Sequence, residues 1–258
     1  MSAANVPSGS LNSYLTETRR PIYSAALVLP FLIVYEVGVV WLDTAYINGA
    51  DAIIMRLMHK LSLGAIPAFA SGVVLIACFV VWQVRSGASW KLDTQKLGYQ
   101  FLESLAFAAV LFVFLGWISA RLPAPRSAPG LVLMASGESG GIRGTLEQMV
   151  LYCGAGVYEE LLFRVLQLQL LMLVFTKLLK LDKAYAAAWA VGLGAVIFSL
   201  FHYIGAEEFH INSFLQRTFA GVYFAAVYVT RSFGVAAAAH AEYDIMVGIA
   251  QIVLGRHN

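Results

Sequence analysis

Val150-Leu-Tyr-Cys-Gly-Ala-Gly-Val-Tyr-Glu159-Glu160-Leu-Leu-Phe-Arg164-Val-Leu-Gln-Leu-Gln-Leu-Leu-Met-Leu-Val-Phe175 is an apolar run broken by two adjacent carboxylates and an arginine. Its length and apolarity read as a membrane-embedded helix. A charged side chain at the bilayer centre costs about 2.5–3.5 kcal/mol on insertion scales, so an intramembrane carboxylate is by default a sign of function. On a helix of 3.6 residues per turn, Glu160 and Arg164 share a face with the acid preceding the base, the favourable order for an ion pair. Glu159 then points about 140° away from Arg164 and is free to project into a cavity. The doublet divides into a structural acid, Glu160, and a reactive acid, Glu159.

Outward from this run, the whole chain has the same character. Of its 258 residues, 60% are hydrophobic and only 12% charged, against about 25% charged in a soluble domain, and the mean hydropathy is +0.74. An all-α, polytopic integral membrane bundle follows, because only helices or closed barrels satisfy the backbone in lipid. Apolar runs at about residues 22–42, 65–84, 99–120, 145–175, 184–203, 212–230 and 235–254 give seven spans, six to eight at the limits. The net charge of +2 leaves no footprint for nucleic acid; membrane lipids are the expected surroundings. Residues 1–21 form a polar tail without a cleavable signal, and Arg19 and Arg20 before the first span favour a cytoplasmic N-terminus for this multi-pass protein. Residues 48–63, with Arg56, His59 and Lys60, resemble a short helix on the membrane surface. Residues 121–143, rich in Pro, Gly and Ser, are the longest loop and the clearest boundary. The chain divides into a tail (1–21), N-terminal membrane helices with a loop (22–143), and a core of four membrane helices (144–254). Cys78 and Cys153 both lie in apolar runs and read as packing residues.

Two further polar pairs interrupt apolar surroundings, Phe198-Ser-Leu-Phe-His202 and His240-Ala-Glu-Tyr-Asp244. His240 and Asp244 are four apart and share a face, where the carboxylate could orient the imidazole or join it in holding a metal. In seven plain spans, however, His202 and His240 fall toward opposite faces of the membrane. The two meet only if helices are tilted, short or broken.

The ordered set Glu-Glu-x-x-x-Arg, Phe-x-x-x-His and His-x-x-x-Asn/Asp on successive membrane helices resembles the type II CAAX prenyl endopeptidase family, also called the CAAX protease and bacteriocin-processing (Abi) family. All three motifs are intact here, and the resemblance covers about residues 144–254. It implies an intramembrane endopeptidase in which Glu159 and His202 activate a water for attack on a peptide carbonyl, with His240 and Asp244 completing the pocket. The implied substrate is a membrane-anchored or lipidated protein, cut at a C-terminal CAAX-type, sorting or leader segment. Relatives carry Asn or Asp at the last position; ionised Asp244 cannot donate to an oxyanion as Asn could, and suits orienting His240 or binding metal. The cofactor stays open: a glutamate-type peptidase needs none, while a divalent metal such as zinc would take Glu159, His202 and His240 as ligands. The oligomeric state is not legible.

Plainer readings stand beside these. Glu159, Glu160 and Arg164 could form a salt-bridge knot that fixes helix packing, the favoured role for Glu160 and Arg164 alone; Phe198 reads as packing beneath the histidine. A non-enzymatic immunity, chaperone or transport protein could use the same cluster for binding. Glu36 and Glu103 read as structural partners or cavity-lining groups, and Glu242 takes no role. Gly137-Glu-Ser139-Gly140-Gly141 matches serine-protease patterns but lies in a polar loop without a preceding strand, and reads as a decoy.

Overall fold

Backbone in an apolar surrounding must close its own hydrogen bonds, and helix is the only regular element among the described residues, 11–42, 47–61, 69–121, 142–204 and 207–255 of the computed structural model. In chain order they are α1 (Leu11–Glu17), α2 (Pro21–Trp41), α3 (Gly49–Lys60), α4 (Ala70–Ser86), α5 (Thr94–Ser119), α6 (Ile142–Leu178), α7 (Lys183–Phe201), α8 (Ile211–Thr230) and α9 (Phe233–Gly255). Local chemistry sets several ends. Pro21 opens α2, where a missing N–H costs nothing. Asp93 caps α5 by accepting from Gln95 N and Lys96 N at 3.0 and 3.3 Å. Gly87, at φ 63°, closes α4 in the left-handed region that a side chain resists.

Each of the seven expected apolar runs is a helix, yet they are not alike. α2, α5, α6 and α7 are long and apolar enough to cross a membrane, whereas α4 is apolar but has 17 residues. α8 and α9 have the length, at 20 and 23 residues, and are less apolar because they carry Gln216, Arg217, His240, Glu242 and Asp244. The protein is a multi-pass membrane bundle with α9 at its centre. From Val235 to Ala239 and at Ala241 no side chain is exposed, and α9 packs on α2, α5, α6 and α8. Small side chains at helix interfaces let backbones approach closely. At the crossing with α6, a Cβ added to Gly156 would lie 2.5 Å from Ala241 N and 2.6 Å from the Ala237 carbonyl oxygen.

The placement of His202 beside Glu159 follows from the length of α6. Its 37 residues extend about 55 Å at 1.5 Å per residue, far beyond a hydrocarbon core of about 30 Å. α7 turns back along only the C-terminal half of α6, and its 19 residues return about 28 Å, level with Glu159. The separation expected from seven equal spans is thereby removed.

Polar ties join the periphery to this centre. Arg231 pairs with Glu103, Tyr14 Oη donates to Glu103 at 2.7 Å, and Gln100 Nε2 reaches the Thr18 carbonyl at 3.1 Å. Glu36 accepts from Tyr158 Oη. α3 has an exposed face with Arg56, His59 and Lys60. It does not simply lie on the surface: Ala50 and Asp51 are buried and its first turn packs against α6. Ser139, His257 and most of the 121–143 loop lie outside the described residues.

Candidate active site

The site begins with an irregularity in α6. The helix is π-wound over Ala155–Glu159, Leu161–Gln167 and Val174–Leu178, and π turns inside α-helices occur frequently at functional sites. In a π turn the N–H of residue i+5 bonds to the carbonyl of residue i, so residues five apart come onto neighbouring faces. Glu159 therefore does not turn away from the Glu160–Arg164 pair as a 3.6-residue turn requires. Both acids face α9, and each meets a different nitrogen of His240.

Glu160 is fully buried and accepts from Arg164 Nε at 2.8 Å and Nη2 at 3.3 Å. Its Oε1 also lies 3.0 Å from His240 Nδ1. A carboxylate already paired with a guanidinium can only accept, so this contact places the Nδ1 proton on His240. His202 is arranged alike: its Nδ1 is 2.9 Å from the Phe198 carbonyl oxygen, which again can only accept. Both imidazoles thus have Nδ1–H committed and Nε2 free. The two Nε2 atoms lie 3.7 Å (His202) and 3.9 Å (His240) from the same atom, Glu159 Oε2. Glu159 is 6% exposed, and Oε2 has no hydrogen-bond partner among the described residues. Its other oxygen accepts from Asn48 Nδ2 at 3.0 Å.

Aromatic rings hold this geometry. Phe224 stacks on His240 with centroids 4.5 Å apart and planes at 16°. Phe198 meets His202 edge-on at 5.0 Å and also lies 5.3 Å beneath the Arg164 guanidinium, so it packs against both the histidine and the ion pair. Asp244 Oδ2 is 3.6 Å from His240 Nε2; the acid bonded to His240 is Glu160, while Asp244 stands at the free nitrogen. All of Glu159, His202, His240 and Asp244 line one cavity, with Phe198, Phe224 and, from α8, Ser213, Gln216 and Arg217. Arg217 pairs with Glu207 through two bonds of 2.7 and 3.0 Å.

Three groups went unread in the sequence. Arg217 and Gln216 interrupt an apolar helix just as Glu159 does, so the rule that singled out Glu159 also points to them. Asn48 leaves only the signature of a helix cap before Gly49 and Asp51, and its reach to Glu159 is a tertiary fact. No group of three His, Cys, Asp or Glu side chains among the described residues is arranged to hold a metal ion. Glu159, His202 and His240 converge, with Glu159 Oε2 at 3.7 and 3.9 Å from the two Nε2 atoms.

Residues 143–246 match the family model of the type II CAAX prenyl endopeptidase, Rce1-like. Over this segment, less than half of the chain, the protein is similar to that family. The segment begins at the head of α6 and ends two residues past Asp244, so it contains all three motifs and, among the described residues, every side chain lining the cavity except Leu115 of α5. No curated protein and no solved structure is significantly similar to the chain.

Proposed function

We propose that the Rce1-like domain is an intramembrane endopeptidase in which Glu159 activates water for attack on a peptide carbonyl. The observation that carries this reading is the convergence of His202 Nε2 and His240 Nε2 on the unbonded Oε2 of Glu159. A water between the three would donate one proton to Oε2 and be oriented by an imidazole. Glu159 takes that proton as the oxygen attacks, and an imidazole in its charged form donates from Nε2 to the oxyanion; such positioned acid–base and donor groups contribute about 10²–10⁴-fold each. The proton on Glu159 then passes to the leaving amine. Glu160 and Arg164 do not take part in the proton transfers and hold His240 through Nδ1. Asp244, 3.6 Å from His240 Nε2, stands beside the nitrogen that would donate to the oxyanion. The substrate is a membrane-anchored or lipidated protein cut near its C-terminal CAAX-type, sorting or leader segment, consistent with a cavity walled by apolar helices.

Direct attack by water is tested by single-turnover cleavage of a membrane-tethered peptide in H₂¹⁸O. One ¹⁸O atom in the new C-terminal carboxylate is expected. Product free of ¹⁸O, with label appearing only in later turnovers, would instead indicate an acyl intermediate on the protein and overturn the assignment of Glu159 as a base.

A further inference from the structure

What keeps Glu159 in the rotamer that aims Oε2 at both imidazoles is not supplied by the Rce1-like domain. Within the cavity, Oε1 has a donor from elsewhere: Asn48 Nδ2, at 3.0 Å. The amide is fixed at its other end. Asn48 Oδ1 accepts from Ala50 N at 2.8 Å and Asp51 N at 3.4 Å, capping α3. Its backbone N–H donates to Tyr35 Oη at 3.1 Å, and the same hydroxyl donates to Asp51 Oδ2 at 2.8 Å. Two backbone N–H groups on one side of the amide and a carboxylate on the other determine which end is oxygen, since the reverse would set acceptor against acceptor. An amide held in this way by α3 and by Tyr35 of α2 presents its NH₂ group in one direction.

We propose that Asn48 is a positioning residue for Glu159, so that the reactive acid of the Rce1-like domain is oriented by a residue 111 positions earlier in the chain and outside the matched segment. The assignment rests on the peptidase reading for its effect on rate, while the hydrogen bond itself does not. With Oε1 engaged by a neutral donor, the carboxylate plane is fixed and Oε2 is left for the water. Without the donor the carboxylate can rotate, and Oε2 loses its aim at the two Nε2 atoms. A misplacement of about 1 Å at a reacting group is enough to cost about 100-fold in rate.

The decisive variants separate the donor from the cap. Asn48→Ser and Asn48→Asp both keep an oxygen that caps α3, because Ser and Asp are as good N-caps as Asn, and both lose the NH₂ donor; Asp preserves the shape and Ser avoids a second charge beside Glu159. With purified full-length protein in nanodiscs and a membrane-tethered fluorogenic peptide, each should stay folded, its unfolding temperature lowered only by the loss of that one hydrogen bond and, for Asp, by the second carboxylate beside Glu159. Each should lose about 10- to 100-fold in kcat with KM changed by less than about 2-fold, the range seen when groups orienting a reactive residue are removed. A purely structural role would lower the unfolding temperature and leave kcat per folded molecule intact. Wild-type kcat in both variants overturns the proposal. A thermal-unfolding double-mutant cycle of Asn48→Ser with Glu159→Ala reads the bond without any substrate. Non-additivity is expected, and additive effects also overturn the proposal. If the wild-type protein cleaves nothing, the peptidase reading and Asn48's role in catalysis fail together, while a non-additive cycle shows that the bond survives them.

Discussion

Arg164 decides how much of the site is scaffold. It is 2% exposed, forms a two-point pair with the fully buried Glu160, and through that acid fixes Nδ1 of His240. Removing one partner of a buried pair leaves an uncompensated charge, at a cost of about 3–5 kcal/mol. Arg164→Leu should therefore lower the stability of detergent-solubilised protein by about that amount, measured by chemical or thermal unfolding, and should remove activity as well because His240 loses its anchor. A variant as stable as wild type would show that the pair contributes nothing to the fold. Glu160 thus does more than brace α6, since it also selects the tautomer of a site histidine. The pairing of Glu160 with Arg164 was legible from a four-residue spacing alone. The contact with His240 was not, because it joins residues 80 apart in sequence.

At the scale of elements, α6 and α9 together make the site. α6 places two consecutive acids toward one neighbour because it is π-wound, and α9 comes close enough to receive them because Gly156 faces Ala237 and Ala241 with no side chain between. Gly156→Leu would force a side chain into the α9 backbone, which cannot move aside as a flexible side chain could. We expect a fall in unfolding temperature and a loss of at least about 100-fold in kcat, since displacing α9 moves His240 away from Glu159 and Glu160; an unchanged rate would show that the crossing does not set the geometry. Apolar runs between polar breaks located α2 and α4 to α9, while α1 lies in the stretch that reads as a polar tail. Periodicity could not show the π turns, which depend on packing, nor that α7 returns along half of α6. These two features undo the expectations that Glu159 faces away and that the histidines are far apart. The reach of Asn48 to Glu159 was not legible for the same reason: its partner belongs to another helix.

Across the whole molecule, the three motifs identified in the sequence, on α6, α7 and α9, meet in one cavity at the centre of a multi-pass bundle. The N-terminal helices, which read as plain apolar spans, hold the site from outside: Asn48 before α3 reaches Glu159 and is itself held by Tyr35 of α2, while Tyr14, Glu103 and Arg231 tie α1, α5 and the start of α9. The central claim concerns one atom, Glu159 Oε2. It is tested most directly by Glu159→Gln, which keeps the shape of the side chain and removes the base. Purified wild-type and variant protein would be reconstituted in nanodiscs with a membrane-tethered peptide, product quantified by mass spectrometry, and folding checked by unfolding temperature. The expected result is cleavage by the wild type and a loss of about 10²–10⁴-fold in the variant at an unchanged unfolding temperature; a folded Glu159→Gln protein that cleaves at the wild-type rate would contradict it.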